Sequence, residues 1–227
     1  MSLKLYEGFG PNPFTVRLFA LERKGLEIES EMIDIMTLQN RRLAYRKINP
    51  RGELPALRVS NGDESVIITE ITAICEYLDE VAKGGTSLYG ETPLERAETR
   101  MWLRRMDLEI AQPVIEWYRN DPATVDFYKG NRLPTPEARV NGKVAINIAL
   151  NRLDDELEGK KWLAGDRFSA ADVHAYGLMK MMIDGPMAVA PWVLAPGREN
   201  LLGWWKRVDE RPASKEVITS FGQKIGN

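Results

Sequence analysis

Two stretches carry residues whose types and spacing could do chemistry: NPRGELPAL, Asn49 to Leu57, and TEITAICEYL, Thr69 to Leu78. A proline cannot donate to a sheet ladder, so Pro55 belongs at a strand start or an edge. A cis bond before it, usually a mark of deliberate local geometry, would turn the Leu54 N–H and C=O outward to pair with an extended peptide. A helix beginning near Thr69 offers unpaired N–H groups and a positive dipole end to a carboxylate. The Glu70 side chain offers the opposite charge to an ammonium. A small peptide carrying both groups at one end fits this pattern. Each residue also has a plain structural reading: Pro55 starts a strand, and Glu70 complements a helix dipole, worth about 0.3–1 kcal/mol.

The chain around them has 227 residues, enough for one large domain or two small ones, and its 44% hydrophobic content suffices for a packed core. With 31 basic and 33 acidic residues the net charge is −2, which gives no electrostatic case for nucleic acid or an anionic membrane. The basic cluster Arg41, Arg42, Arg46 and Lys47 is interspersed with Leu43, Ala44 and Tyr45 and reads as a solvated helix face. Lys4, Glu7 and Arg17 interrupt the first segment, so no secretory signal is expected, and no window approaches a transmembrane span. One cysteine, Cys75, excludes an internal disulfide, and with one histidine, His174, soft ligands are too few for structural zinc. A metal-free cytoplasmic protein is expected.

Lys4 to Tyr6 reads as a strand that ends in the Gly- and Pro-rich loop Gly8 to Pro13. A helix with Val16, Phe19 and Ala20 at helical spacing follows, closed by Gly25. Next come a strand over Ile28 to Ile35, a short helix over Arg41 to Ile48, and a hairpin of Leu54 to Val59 and Ser65 to Ile68 across Asn61-Gly62. A helix over Ile71 to Val81 completes a β-α-β-α-β-β-α unit. From Leu94 onward the pattern is helical: a long helix bent near Pro113, a turn over Tyr128 to Pro136, and a partner helix running to Leu157. In WLAGDRFSAADVHAYG, Ser169 caps a helix with Asp172 three residues on, and Phe168 and Val173 occupy staple positions; losing either polar residue should cost about 0.5–2 kcal/mol. A short helix over Leu201 to Val208 carries Trp204 and Trp205 and stops near Pro212.

KLYEGFGPNPFTVRLFALERKG, NPRGELPAL, TEITAICEYL, WLAGDRFSAADV and WWKRVDERP, in this order, span nearly the whole chain, and together they resemble the cytosolic glutathione transferase superfamily. The resemblance implies an α/β plus all-α protein: a thioredoxin-like glutathione-binding domain over residues 1–82, a linker over 83–92, and an all-helical domain over 93–227, assembled as a homodimer. It implies that Leu54, before the cis Pro55, pairs with the cysteinyl backbone of glutathione, and that Glu70 binds the γ-glutamyl end. Asn40 falls where several classes place a polar residue near the glycyl carboxylate; it also reads as an ordinary helix-capping asparagine.

Two positions depart from the family pattern. The residue after the acid is usually serine, whose hydroxyl and N–H hold the γ-glutamyl carboxylate; here it is Ile71, which keeps the N–H and lies in register with Ile74, Cys75 and Leu78. Free cysteine has a pKa near 8.5, so a transferase gains from a donor that stabilises thiolate. The position of the usual activating serine falls on Gly10, and no Ser or Cys lies between Gly8 and Phe14. Three donors remain: Asn12, which matches a nu-class-like position and also reads as a turn former between two prolines, Thr15 in the first helical turn, and Tyr6 in the strand. The missing cysteine disfavours a protein–glutathione mixed disulfide, and Cys75 reads as a core thiol.

The resemblance places an apolar electrophile between the loop after the first strand and the long helices of the second domain, with Phe9, Phe14, Met101, Met106, Trp117 and Tyr118 as candidate lining. It implies a detoxification-type conjugation of glutathione to an apolar electrophile. A glutathione-dependent disulfide reductase or lyase without a protein cysteine, and a non-catalytic scaffold of the same fold, remain alternatives.

Overall fold

A computed structural model describes residues 1–183 and 194–225, with side chains through residue 220. It contains two compact units, Met1–Glu95 with Asp209–Asn227, and Arg96–Val208.

The first unit is a thioredoxin-like sheet with helices on both faces. Its strands β1 (Ser2–Glu7), β2 (Ile28–Met32), β3 (Ala56–Asn61) and β4 (Glu64–Ile68) lie in the order β2-β1-β3-β4. β1 runs parallel to β2 and antiparallel to β3, and β3 pairs antiparallel with β4. Period-two alternation divides the sheet. Leu3, Leu5 and Leu57 are buried on one face, while Tyr6, Ala56 and Ile67 share a cluster with Ile33, Tyr45, Ile48 and Leu54. Helices α1 (Pro11–Arg23) and α3 (Ile71–Val81) pack together, and the short α2 (Leu43–Arg46) supplies Tyr45, whose ring meets Tyr6 edge-on with centroids 6.2 Å apart.

β2 is shorter than its sequence pattern suggests because the chain turns at Asp34, whose Oδ1 accepts from Met36 N and Thr37 N at 2.9 and 3.2 Å. A buried charge joins α1 to α3: Arg23 Nε meets Asp79 Oδ1 at 2.7 Å, and Asp79 also accepts from Ser87 Oγ and Leu88 N.

The second unit is helical: α4 (Pro93–Arg105, entering it at Arg96), a π-helical turn over Met106–Ala111, α5 (Gln112–Arg119), α6 (Val125–Tyr128), α7 (Ala138–Glu156), α8 (Ala170–Ile183) and α9 (Glu199–Asp209). The expected bend takes the form of the π turn just ahead of Pro113. A proline offers no N–H to the carbonyl four residues back, and wider backbone turns are one way a helix absorbs that loss.

The Ser169–Asp172 cap is present. Ser169 N and Oγ both donate to Asp172 Oδ2, at 3.0 and 3.1 Å. Asp172 also accepts from Leu163 N at 3.0 Å and from Trp204 Nε1 at 2.8 Å, so one fully buried carboxylate ties the start of α8 to a preceding turn and to α9. Desolvation pushes its pKa up and these four bonds pull it back, with a net rise.

The helix carrying Trp204 and Trp205 ends at Asp209, ahead of Pro212 as expected. Pro212 then opens a further helix that the sequence reading did not name, α10 (Pro212–Ile225), where a proline at the first helical position loses no intrahelical bond. α10 packs against α1, and Arg211 just ahead of it pairs bidentately with Glu22 at 2.6 Å through both nitrogens.

Candidate functional site

The two ladders of β3 bring three loops to one end of the sheet. The β1–β3 ladder ends at Tyr6↔Ala56 and the β3–β4 ladder at Leu57↔Ile68, so the segments that follow β1 and β4, with Gly8 and with Glu70 and Ile71, leave the sheet at the same end at which Leu54 and Pro55 enter β3. The approach at Gly8 is close, since a Cβ there would lie 2.7 Å from Leu54 Cδ1 and 2.8 Å from the Ile33 carbonyl oxygen. Only glycine fits at that distance.

The Leu54–Pro55 peptide is cis. The turn leading to it is held by side chains that donate to its carbonyls. Asn40 Nδ2 donates to the Gly52 carbonyl at 2.7 Å, while Tyr45 OH and Asn49 Nδ2 both donate to the Glu53 carbonyl, at 2.9 and 2.8 Å. Burial pushes the Tyr45 hydroxyl pKa up, which keeps it a neutral donor. Gly52 takes φ +67°, and a Cβ there would meet the Asn40 carbonyl oxygen at 2.9 Å. With Gly52 and Glu53 held, Leu54 follows in fixed orientation, and among the described residues its own N–H and C=O make no hydrogen bond.

Across the sheet end, Glu70 stands at the N-cap of α3 with φ +67° and is exposed. A non-glycine residue at positive φ is uncommon and clusters at functional sites. Its carboxylate caps nothing in its own helix. Ile71 is half-buried, whereas Ile74, Cys75 and Leu78 behind it are buried. The first bond closing this helix runs from Ile74 N to the Glu70 carbonyl, so the N–H groups of residues 71–73 have no partner within the helix.

The loop after β1 leads into α1. Glu7, fully buried at the end of β1, is gripped by Arg17 of α1 through Nε at 2.8 Å and through Nη2, which brackets the loop between them. Of the three thiol-activator candidates, Tyr6 is buried in the core cluster and Thr15 is fully buried with its hydroxyl donating to the Pro11 carbonyl at 2.9 Å. Asn12 is half-buried, and among the described residues its amide makes no hydrogen bond. Because Pro11 and Pro13 have no N–H, Asn12 is also the only one of the first three helical residues able to donate from its backbone.

Asn40 caps no helix of the sheet unit. It lies in a 3-10 turn, Gln39–Arg41, with Nδ2 on Gly52 and a buried Oδ1 that has no partner. Among the apolar candidates, Phe14 and Met106 are buried core residues, Met101 is 49% exposed, and Phe9, Trp117 and Tyr118 are half-buried. The loop-holding donors Tyr45 and Asn49 were missed in the sequence; the signal was the tyrosine and asparagine just ahead of the turn whose carbonyls needed partners.

The chain matches the glutathione S-transferase N-terminal domain model over residues 11–81 and the C-terminal domain model over residues 110–212. It is 28% identical to the protein LigF of Sphingobium sp. (strain NBRC 103272 / SYK-6), over 96% of this chain and 93% of that protein. It is 26% identical to glutathione S-transferase 2 of Saccharomyces cerevisiae, over 92% of this chain and 86% of that one. Among solved structures, Gtt2 of Saccharomyces cerevisiae superposes with TM-score 0.81 at 26% identity, covering 94% of this chain and 99% of that chain. The beta-etherase LigF of Sphingobium sp. strain SYK-6 superposes with TM-score 0.79 at 27% identity, covering 97% and 100%. With both family domains matched in order and the same fold shared with these structures, the chain belongs to the cytosolic glutathione transferase superfamily.

Proposed function

We propose that this chain is a glutathione transferase that joins the glutathione sulfur to an apolar electrophile, working as a cytoplasmic homodimer in a detoxification role. The observation that carries this reading is the unpaired backbone of Leu54 at a sheet end shared with Gly8, Glu70 and Ile71. An extended cysteinyl backbone pairs with Leu54, the Glu70 carboxylate takes the γ-glutamyl ammonium, and the N–H groups opening α3 take the neighbouring carboxylate. Asn40 contributes by holding the Gly52 carbonyl, since its remaining amide atom is an acceptor and repels a carboxylate.

Asn12 is the activator in this reading. Its side-chain amide and backbone N–H both belong to the first turn of α1, where the helix dipole favours negative charge, and a sulfur held there ionises more easily. Once bound, the thiolate is positioned against its partner, and proximity supplies much of the rate. Of the apolar candidates, Phe9 in the first unit and Met101, Trp117 and Tyr118 in the second keep exposed surface, while Phe14 and Met106 are buried within their own units.

Likeness to LigF favours a second reading in which the electrophile is an ether. The thiolate would attack the carbon bearing the ether oxygen; a C–S bond forms, the C–O bond breaks, and the departing oxide takes up a proton. Retention on immobilised glutathione that is lost in Glu70→Ala tests the binding site. Conjugation of a chlorinated aromatic, reduction of a hydroxyethyl disulfide and cleavage of an aryl ether, assayed side by side, then separate transferase, reductase and lyase. Absence of retention by the unaltered protein would favour a scaffold.

A further inference from the structure

The glutathione reading leaves the γ-glutamyl carboxylate held by backbone N–H groups alone. Ile71 has no hydroxyl for the γ-glutamyl carboxylate, and the first turn of α3 contains neither an acid nor a base. Two carboxylates, Glu53 and Glu70, also stand at this end of the sheet and would repel it.

One cation lies among them. Arg51 sits on the same turn as Leu54, its N–H fixed by Asn49 Oδ1 at 3.2 Å, and its Nε donates to Glu53 Oε2 at 2.7 Å. Arg51 and Glu53 expose 68% and 56% of their side chains. An ion pair that open to water contributes little and exchanges partners at little cost. Of the other bases near the turn, Arg46 donates to the Pro50 carbonyl and Arg42 to the Thr37 carbonyl. Beside Glu53, and within Coulombic reach of Glu70, the Arg51 guanidinium holds its proton more tightly than an isolated arginine does.

We propose that Arg51 is a specificity residue for glutathione, its guanidinium turning from Glu53 to clamp the γ-glutamyl carboxylate in place of the hydroxyl that Ile71 lacks. This rests on the glutathione reading above. The bound ligand then alternates in charge with the protein: Arg51 on the carboxylate and Glu70 on the ammonium next to it. A guanidinium fork matches a carboxylate with two parallel bonds, which a single hydroxyl cannot do.

Titration calorimetry with three ligands tests the assignment: glutathione, γ-glutamylcysteine, which lacks the glycyl carboxylate, and 4-aminobutyryl-cysteinylglycine, which lacks the α-carboxylate but keeps the amine. Arg51→Ala is expected to weaken the first two about tenfold, the range of a charge-assisted hydrogen bond at a partly exposed site, and to leave the third unchanged. Equal weakening of all three, or a loss seen with glutathione but not with γ-glutamylcysteine, overturns it. So does a Thr72→Val variant that reproduces the whole loss while Arg51→Ala binds normally, because the hydroxyl at the second position of α3 would then be the partner. Failure of the unaltered protein to bind any of the three defeats the glutathione reading itself, an outcome distinct from normal binding that ignores Arg51.

Discussion

The Thr15 hydroxyl donates to the Pro11 carbonyl oxygen at 2.9 Å, four residues back along α1. A hydroxyl has one hydrogen to give, and this one is spent inside a fully buried helical turn. The prolines at 11 and 13 create the opposite situation at Asn12, whose donors have no partner among the described residues.

Replacing Asn12 with alanine should therefore raise the pKa of bound glutathione by about one unit, equivalent to about 1.4 kcal/mol of thiolate stabilisation. Less thiolate would be present at neutral pH, so the rising limb of the kcat–pH profile moves to higher pH. Ultraviolet thiolate absorbance titrated in the complex reads this directly. Thr15→Val should lower stability by about 1 kcal/mol and leave that titration in place. The reverse pattern would return the role to the hydroxyl.

Ile71 invites a gain of function. Ile71→Ser supplies the missing hydroxyl beside a charged group, and a bond of that kind contributes about 1.5–3 kcal/mol. Because Ile71 is only half-buried, the packing lost is modest. Glutathione should bind about tenfold more tightly by calorimetry; unchanged affinity would mean that the carboxylate is already fully served.

Asp172 does more than cap a helix. Ser169→Ala should cost about 1 kcal/mol, as cap removal does, but Asp172→Ala strands the Leu163 N–H, the Trp204 indole N–H and the Ser169 N–H in a dry interior. A loss of about 3–5 kcal/mol is expected from three unsatisfied donors. Urea midpoints for the two variants would coincide if the carboxylate acted on the cap alone.

Cys75 is buried on the inner face of α3, and burial pushes its thiol pKa well above the usual range, with Asp79 adding to the rise. Native protein should resist iodoacetamide at about pH 8, where a free thiol is partly ionised, and mass spectrometry should find alkylation only after denaturant is added. Labelling of the native state at the rate of a free thiol would place the sulfur at the surface.

The sequence made the sheet unit legible because its punctuation is local. Asn61-Gly62 marks the hairpin, Pro55 the strand start, and the helix over Ile71–Val81 follows from its apolar register. What escaped was relational. Nothing near Glu7 in sequence reveals that Arg17 would grip it in the interior, and Tyr6, a plausible hydroxyl donor by position, is claimed by Tyr45 from thirty-nine residues away. The three-fold attachment of Asp172 reads in sequence as a two-residue motif because Leu163 and Trp204 meet it only after folding. The stop expected near Pro212 is present, but the helix that the same proline opens went unnamed, because the missing N–H that ends one helix costs nothing at the start of the next.

α10 and Arg211 belong to the unit that begins at Met1. On a ribosome the sheet and α1 leave the exit tunnel long before the helix that packs on α1 is translated. The surface of α1 that receives α10 must wait uncovered through synthesis of more than a hundred residues between Glu95 and Asp209. A fragment ending at the apparent linker would expose that surface permanently, and excising the sheet unit for separate study requires carrying the final helix with it.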